Sequence, residues 1–134
     1  MVLEESKIAV AVTPLEITPE GSRAMIVVRI HMHVLPEKQK ELVQTLLALI
    51  SAMEKEAGCL SYALFCNMED KNLLNLLEEW KTREDFDRHL RSDMFGVLLG
   101  TRSLLDEPQG VHIYTVHQSE GMEAVHTARG SAFR

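Results

Sequence analysis

From Met25 to Val34 the chain alternates without a break. Ile26, Val28, Ile30, Met32 and Val34 fall on one side, and Val27, Arg29, His31 and His33 fall on the other. A period of two is the signature of extended backbone, and a strand with one wholly apolar side must lay that side against a second layer. This requirement excludes an all-helical bundle and calls for a sheet covered on at least one face. The chain has 134 residues, 46% hydrophobic and 25% charged, which suits one globular domain.

The next segments supply the covering layer. Pro36 suits the first position of a helix and Glu37 lies near its positive end. Leu42, Leu46, Leu49, Ile50, Met53 and Ala57 recur at three- and four-residue spacing, an apolar stripe on a helix of about twenty residues, roughly 30 Å long. Gly58, just past Ala57, is expected at the left-handed position that ends the helix. Cys59 to Met68 reads as a strand with Leu60, Tyr62, Leu64, Cys66 and Met68 on one face. The polar run Glu69-Asp70-Lys71-Asn72 then turns the chain back into Leu73 to Trp80 as a hairpin. Thr82 and Asp85 have the spacing of a capping box for a short helix with Phe86 and Leu90 as its apolar pair. Ser92 or Asp93 caps another helix from Met94 towards Leu105. Pro108 and Gly110 end it, and Val111 to His117 forms a last strand.

The order is β-α-β-β-α-β with its second helix broken in two. That is the ferredoxin-like split βαβ arrangement, an α+β fold with a four-stranded antiparallel sheet and helices on one face. The other face is expected to carry Val27, Phe65 and Leu77 among Arg29, His31, Asn67, Asn75 and Glu79. A mixed, partly apolar face of this size is economically covered by a second copy, so a homodimer or higher homo-oligomer is expected. Residues 1–24 read as an N-terminal arm, with Ile8, Val10 and Val12 alternating as a strand would. Residues 25–117 read as the domain, and the polar stretch 118–134 as a tail, either an arm or disordered.

Charge and cysteines narrow the function. A net charge of -6 and a pI near 5.5 argue against nucleic acid or an anionic membrane as partner. No run approaches the roughly 20 apolar residues of a membrane span. Met1–Lys7 carries Glu4 and Glu5 where a secretory signal is positive, so a cytoplasmic location is expected. Cys59 and Cys66 are expected on opposite faces of one strand, reduced and structural. Phosphate-binding glycine loops and nucleophile motifs are absent from the sequence.

Three residues stand out as chemical candidates. If Glu78 and Trp80 alternate with Leu74 and Leu76, both face the helices. An acid there is either a strand-end carboxylate reaching solvent or a backbone amide, or a pocket acid with a raised pKa. Leu73 and Leu77 are also apolar, so the opposite assignment, with Glu79 facing inward, stays open. His89, three residues after Phe86, lies beside the buried side of its helix as a boundary histidine or as a general base. His31-x-His33 has spacing for two metal ligands, but no third ligand is evident, so no metal is expected. An interface role, with Arg29 paired to Glu79 across the sheet or across the dimer, is the preferred reading of that face.

The segments Gly58-Cys59-Leu60-Ser61-Tyr62, Leu76-Leu77-Glu78-Glu79-Trp80-Lys81-Thr82 and Phe86-Asp87-Arg88-His89-Leu90 resemble the core of the antibiotic biosynthesis monooxygenase family over about Met25 to His117. The resemblance implies a dimeric α/β barrel built from ferredoxin-like domains. It also implies a cofactor-independent oxygenase acting with dioxygen on a small aromatic substrate, a quinol or a polyketide-type phenol. His89 matches a position often filled by His in that family. Beside that match, the helix-facing sets of two neighbouring strands and one helix are expected to converge on a cavity with His89 and Glu78 as its catalytic members and Trp80, Tyr62, Phe86 and Phe95 lining the substrate. The wider superfamily also holds isomerases, decarboxylases and heme-degrading enzymes. Heme degradation is disfavoured, because His89 and Leu99 stand where a Trp and a His are typical and the first strand lacks Asn. A non-catalytic ligand-binding or dimerisation module is the alternative from another class.

Overall fold

The computed structural model describes residues 24–130. The expected strand at Ile8, Val10 and Val12 lies outside them. Four strands run β1 Met25–His33, β2 Cys59–Cys66, β3 Leu73–Trp80 and β4 Gly110–Val116. They form one antiparallel sheet in the order β2-β3-β1-β4, the ferredoxin-like order. Helix α1 Gln39–Met53 connects β1 to β2, and α2 Arg83–Leu90 with α3 Asp93–Gly100 connects β3 to β4.

Alternation in β1 does what its pattern requires. Ile26, Val28, Ile30 and Met32 are each at most 1% exposed. They pack with Leu74, Leu76 and Trp80 of β3 against Leu42, Leu46, Leu49 and Met53 of α1 and Phe86, Phe95 and Leu98 of α2 and α3. Each large side chain buried in this layer stabilises the fold by about 1.5–3 kcal/mol. The opposite face carries Val27, Arg29, His31, Asn75, Leu77 and Glu79, all partly exposed, and Phe65, 54% exposed.

Several local expectations need correction. Pro36 opens a 3-10 turn, Pro36–Lys38, before α1 begins at Gln39. Helix α1 ends at Met53, so Gly58 is not its terminal glycine. Gly58 does adopt a left-handed φ of 81°, for a different reason. Its carbonyl accepts from Lys81 N at 2.8 Å, extending the hairpin, and a Cβ there would collide with the Asp85 carboxyl at the start of α2. A β-bulge lies between Cys59 and Ser61: Cys59 pairs with Trp80, Ser61 with Glu79 and Tyr62 with Glu78. The extra residue, Leu60, is 54% exposed instead of facing the helices, and Met68 lies beyond the strand at 99% exposure. Because of the bulge, Cys59 and Cys66 fall opposite Trp80 and Leu74, on the same face and not on opposite ones. Both are free thiols.

The third helix runs Asp93–Gly100 and finishes as a 3-10 turn, Thr101–Leu104. Within the tail, expected as an arm or as disordered, Met122–Arg129 forms an ordered helix, α4, so disorder does not hold there. Within one chain, among the described residues, Arg29 forms no ion pair with Glu79, which accepts a hydrogen bond from Ser61 Oγ at 3.0 Å; of the two expected pairings only the one across the sheet is overturned. His33 has a separate task. Its Nδ1 lies 2.7 Å from Asp106 and its Nε2 3.6 Å from Asp70. It thus joins the end of β1 to the β2–β3 turn and the loop before β4, and the Asp106 hydrogen bond raises its pKa.

Candidate active site

Glu78 and Trp80 sit two residues apart on β3, so both project to the helix side. The register resolves the ambiguity between the two acids: Glu78 pairs with Val28 and Tyr62 on the inward face, and Glu79 pairs with Val27 and Ser61 on the outward one. Glu78 is 0% exposed. The Trp80 indole Nε1–H donates to Glu78 Oε1 at 2.9 Å.

His89 arrives from α2, and two caps set its position. Thr82 Oγ1 accepts from Asp85 N at 3.1 Å and donates to the Asp85 carboxylate at 2.9 Å, fixing where α2 begins. Ser92 Oγ donates to the His89 carbonyl at 2.7 Å and accepts from Phe95 N at 3.2 Å. One hydroxyl therefore closes α2 and opens α3, holding His89 and Phe95 side by side.

The His89 ring is enclosed by aromatic rings. It stacks on Trp80 with centroids 4.7 Å apart and planes 28° from parallel. It meets Tyr62 edge-on at 5.8 Å and Phe95 edge-on at 5.4 Å. Phe86 lies beyond Trp80 at 6.2 Å. Nε2 of His89 is 3.9 Å from Glu78 Oε1, outside hydrogen-bond range. Neither His89 nitrogen, nor Glu78 Oε2, has a hydrogen-bond partner among the described residues, although all three are buried. All six residues expected in the site are thus brought together. Tyr62, on the edge strand β2, is the one that is only partly buried.

The electrostatics reverse one expectation. Burial pushes the Glu78 carboxyl up to about 7, against the pull of the Trp80 indole and the nearby Tyr62 hydroxyl. Burial alone pushes His89 down to about 4. The imidazole, expected to titrate near neutrality, therefore stays neutral there because no acceptor or carboxylate holds its charged form closely enough. The carboxyl is the group that changes state near pH 7. Burial and the Glu78 carboxylate also hold the Tyr62 phenol well above its ordinary range. Cys59, which the sequence reading put aside as structural, shares this face, and burial followed by Glu78 raises its thiol pKa. Only the bulge brings it there, and nothing in the sequence marks that bulge. Among the described residues no group of three or more His, Cys, Asp or Glu is arranged to hold a metal ion. Nor is any helix long and apolar enough to cross a membrane.

A four-stranded antiparallel sheet in this order, with helices packed on one face over a buried acid and imidazole, defines a ferredoxin-like α+β protein. The antibiotic biosynthesis monooxygenase family matches residues 25–98, more than half of the chain, and the chain belongs to that family. A conserved protein from Methanosarcina mazei Go1 is 34% identical and superposes with a TM-score of 0.66, covering 71% of this chain and 95% of that one. Rv0793 from Mycobacterium tuberculosis shares the fold at 23% identity and a TM-score of 0.67, with 73% and 100% covered. The uncharacterized protein sll1783 of Synechocystis sp. is 26% identical over 102 residues, 75% of this chain and 69% of its own length.

Proposed function

We propose that this protein is a cofactor-independent monooxygenase that oxidises a quinol or polyketide-type aromatic with dioxygen. The observation that carries the reading is the Glu78–His89 pair, buried inside a shell of Trp80, Tyr62, Phe86 and Phe95 in a domain of this family. An electron-rich phenol needs little from a protein beyond deprotonation, positioning and exclusion of water. Once ionised, the ring passes one electron to dioxygen. Recombination puts oxygen on a ring carbon that carries hydrogen, and the hydroperoxide formed there loses water to leave a carbonyl. One oxygen atom enters the product, the other leaves as water, and the substrate supplies both hydrogens of that water. A buried carboxyl that ionises near neutrality is suited to take the proton. Flat aromatic walls suit the substrate.

In this reading the active form is a cytoplasmic homodimer joined through the face of Val27, Arg29, Leu77 and Phe65. The decisive assay is oxygen uptake with a panel of quinols. Turnover is expected to fall by about 10²-fold in His89→Ala if the imidazole takes part in the chemistry.

One observation favours a second reading. Glu78 and His89 are 0% and 1% exposed, so the converging groups are closed off from solvent in this conformation. A dimerisation module without chemistry fits a closed core and predicts a dimer with no oxygen uptake; a ligand-binding module predicts saturable binding of a small aromatic with no oxygen uptake, and an isomerase predicts substrate turnover with no oxygen consumed.

A further inference from the structure

We propose that Glu78 is the proton acceptor of this site and Trp80 its positioning residue, together seating a phenolic or enolic hydroxyl between the second oxygen of Glu78 and the ring of His89. The proposal rests on the oxygenase reading only for the fate of the substrate after ionisation.

Hydrogen-bond supply around the carboxyl is uneven. Oε1 is occupied by the Trp80 indole at 2.9 Å. Oε2 is buried and without a partner in hydrogen-bond geometry, the Tyr62 hydroxyl standing near the carboxyl but outside that geometry, and both nitrogens of His89 likewise lack partners. A buried polar atom left unpaired is costly, so three of them on this one buried pair of side chains point to a ligand that satisfies them. The 3.9 Å between His89 Nε2 and Glu78 Oε1 is too long for the two side chains to satisfy each other.

A hydroxyl on an aromatic or enol fits this set of atoms. Its O–H donates to Oε2, and its oxygen accepts from the one N–H of neutral His89. When the proton moves, the ligand O–H bond breaks and a new O–H bond forms on Oε2. The electron pair stays on the ligand oxygen, where the His89 N–H stabilises it. Glu78 becomes a neutral acid, the form that its dry surroundings favour. The titratable groups facing Glu78 are Tyr62 and Cys59 from β2 and His89 from α2; the remaining walls, Trp80, Phe86 and Phe95, do not ionise. No cation stands among them to hold the carboxylate charged, in keeping with its rise to about 7.

Trp80 serves both partners. Its N–H fixes one oxygen of the acid and its ring face fixes the plane of the imidazole. It is also the sole tryptophan of the chain, so its emission reports on this site.

Two readings on the full-length protein test the proposal without requiring turnover. The first is Trp80 fluorescence against pH with no ligand. One transition near pH 7 is expected in the wild type, lost in Glu78→Gln and kept in His89→Gln. A transition that survives in Glu78→Gln and disappears in His89→Gln would overturn the assignment. The second uses 4-nitrophenol, whose phenolate absorbs visible light. Bound probe should appear as phenolate in the wild type, with a loss of at least tenfold in the bound phenolate fraction in Glu78→Gln. In Trp80→Phe the midpoint of the pH dependence of probe affinity, which reports ionisation of the empty site's carboxyl, should move up by about one pH unit, because the lost hydrogen bond favoured the carboxylate. A merely structural Trp80 would lower the amount bound and leave the midpoint in place, which would overturn its positioning role. Absence of oxygen uptake with both titrations intact would refute the oxygenase reading alone.

Discussion

Glu78→Gln should make the protein more stable above neutral pH, and by an amount that disappears in acid. The carboxyl has an ordinary pKa of 4.5 and is raised to about 7 in the fold. Between those values the folded state binds a proton that the unfolded chain has released. Stability from this group is therefore complete below pH 4.5 and is lost as pH rises through about 7. At about 1.4 kcal/mol for each pH unit, the wild type gives up about 3 kcal/mol by pH 8. Gln keeps an oxygen for the Trp80 N–H and cannot ionise, so it escapes the loss. Any fixed penalty from burying the new amide is the same at every pH and cancels in the comparison. His89 acts in the opposite direction. Its pKa falls from 6.5 to about 4, so its contribution is complete above pH 6.5 and lost as pH drops towards 4. In the wild type the two slopes nearly cancel between about 4.5 and 6.5, where folding moves one proton from imidazole to carboxyl. Glu78→Gln should expose the His89 slope alone. Urea unfolding of both proteins at pH 4.5, 6 and 8 measures this. The Glu78→Gln minus wild-type difference should grow by about 3 kcal/mol from the lowest pH to the highest, roughly 10 °C in Tm. A difference that is constant across the three pH values would mean that Glu78 ionises normally inside the fold, and the electrostatic account of the site would fail.

Other perturbations test how the site is held. Ser92→Ala removes the hydroxyl that joins α2 to α3 and should lower unfolding free energy by about 1–2 kcal/mol while altering Trp80 emission as His89 loosens; unchanged emission would separate the cap from the site. Gly58→Ala should destabilise by more than about 1 kcal/mol in thermal unfolding, since the new Cβ meets both a positive φ and the Asp85 carboxyl. Light scattering at micromolar concentration should find a dimer, and a monomer there would remove the assembly proposed for the outer sheet face.

How much of this was legible in the sequence follows from which interactions are local. The period-two run of β1, the stripe of α1 and the Thr82 cap are set by neighbours in the chain, and each forms close to where the pattern puts it. Glu78, Trp80 and His89 were legible as candidates for the same reason: a strand that alternates must send residues 78 and 80 the same way, and Phe86 fixes the buried side of α2. The bulge at Leu60 was not legible. It inserts one residue into β2, and so it decides that Leu60 turns outward and that Cys59 turns inward, through a pairing between strands that no single segment encodes.

The charge states were legible only in part: a raised pKa was one of two readings of an inward Glu78, while the lowered one of His89 was not anticipated. Burial of Glu78 and His89 depends on Phe95 and Tyr62 closing around them from two other elements. A histidine read alone titrates near neutrality and a glutamate read alone does not. Enclosed together in a shell without a cation, they exchange those roles, because desolvation penalises whichever form carries charge and does so in opposite directions for an acid and a base. The physical basis for choosing Glu78 over His89 as proton acceptor is therefore a property of the packed layer. It should be altered by changing the shell as readily as by changing either residue.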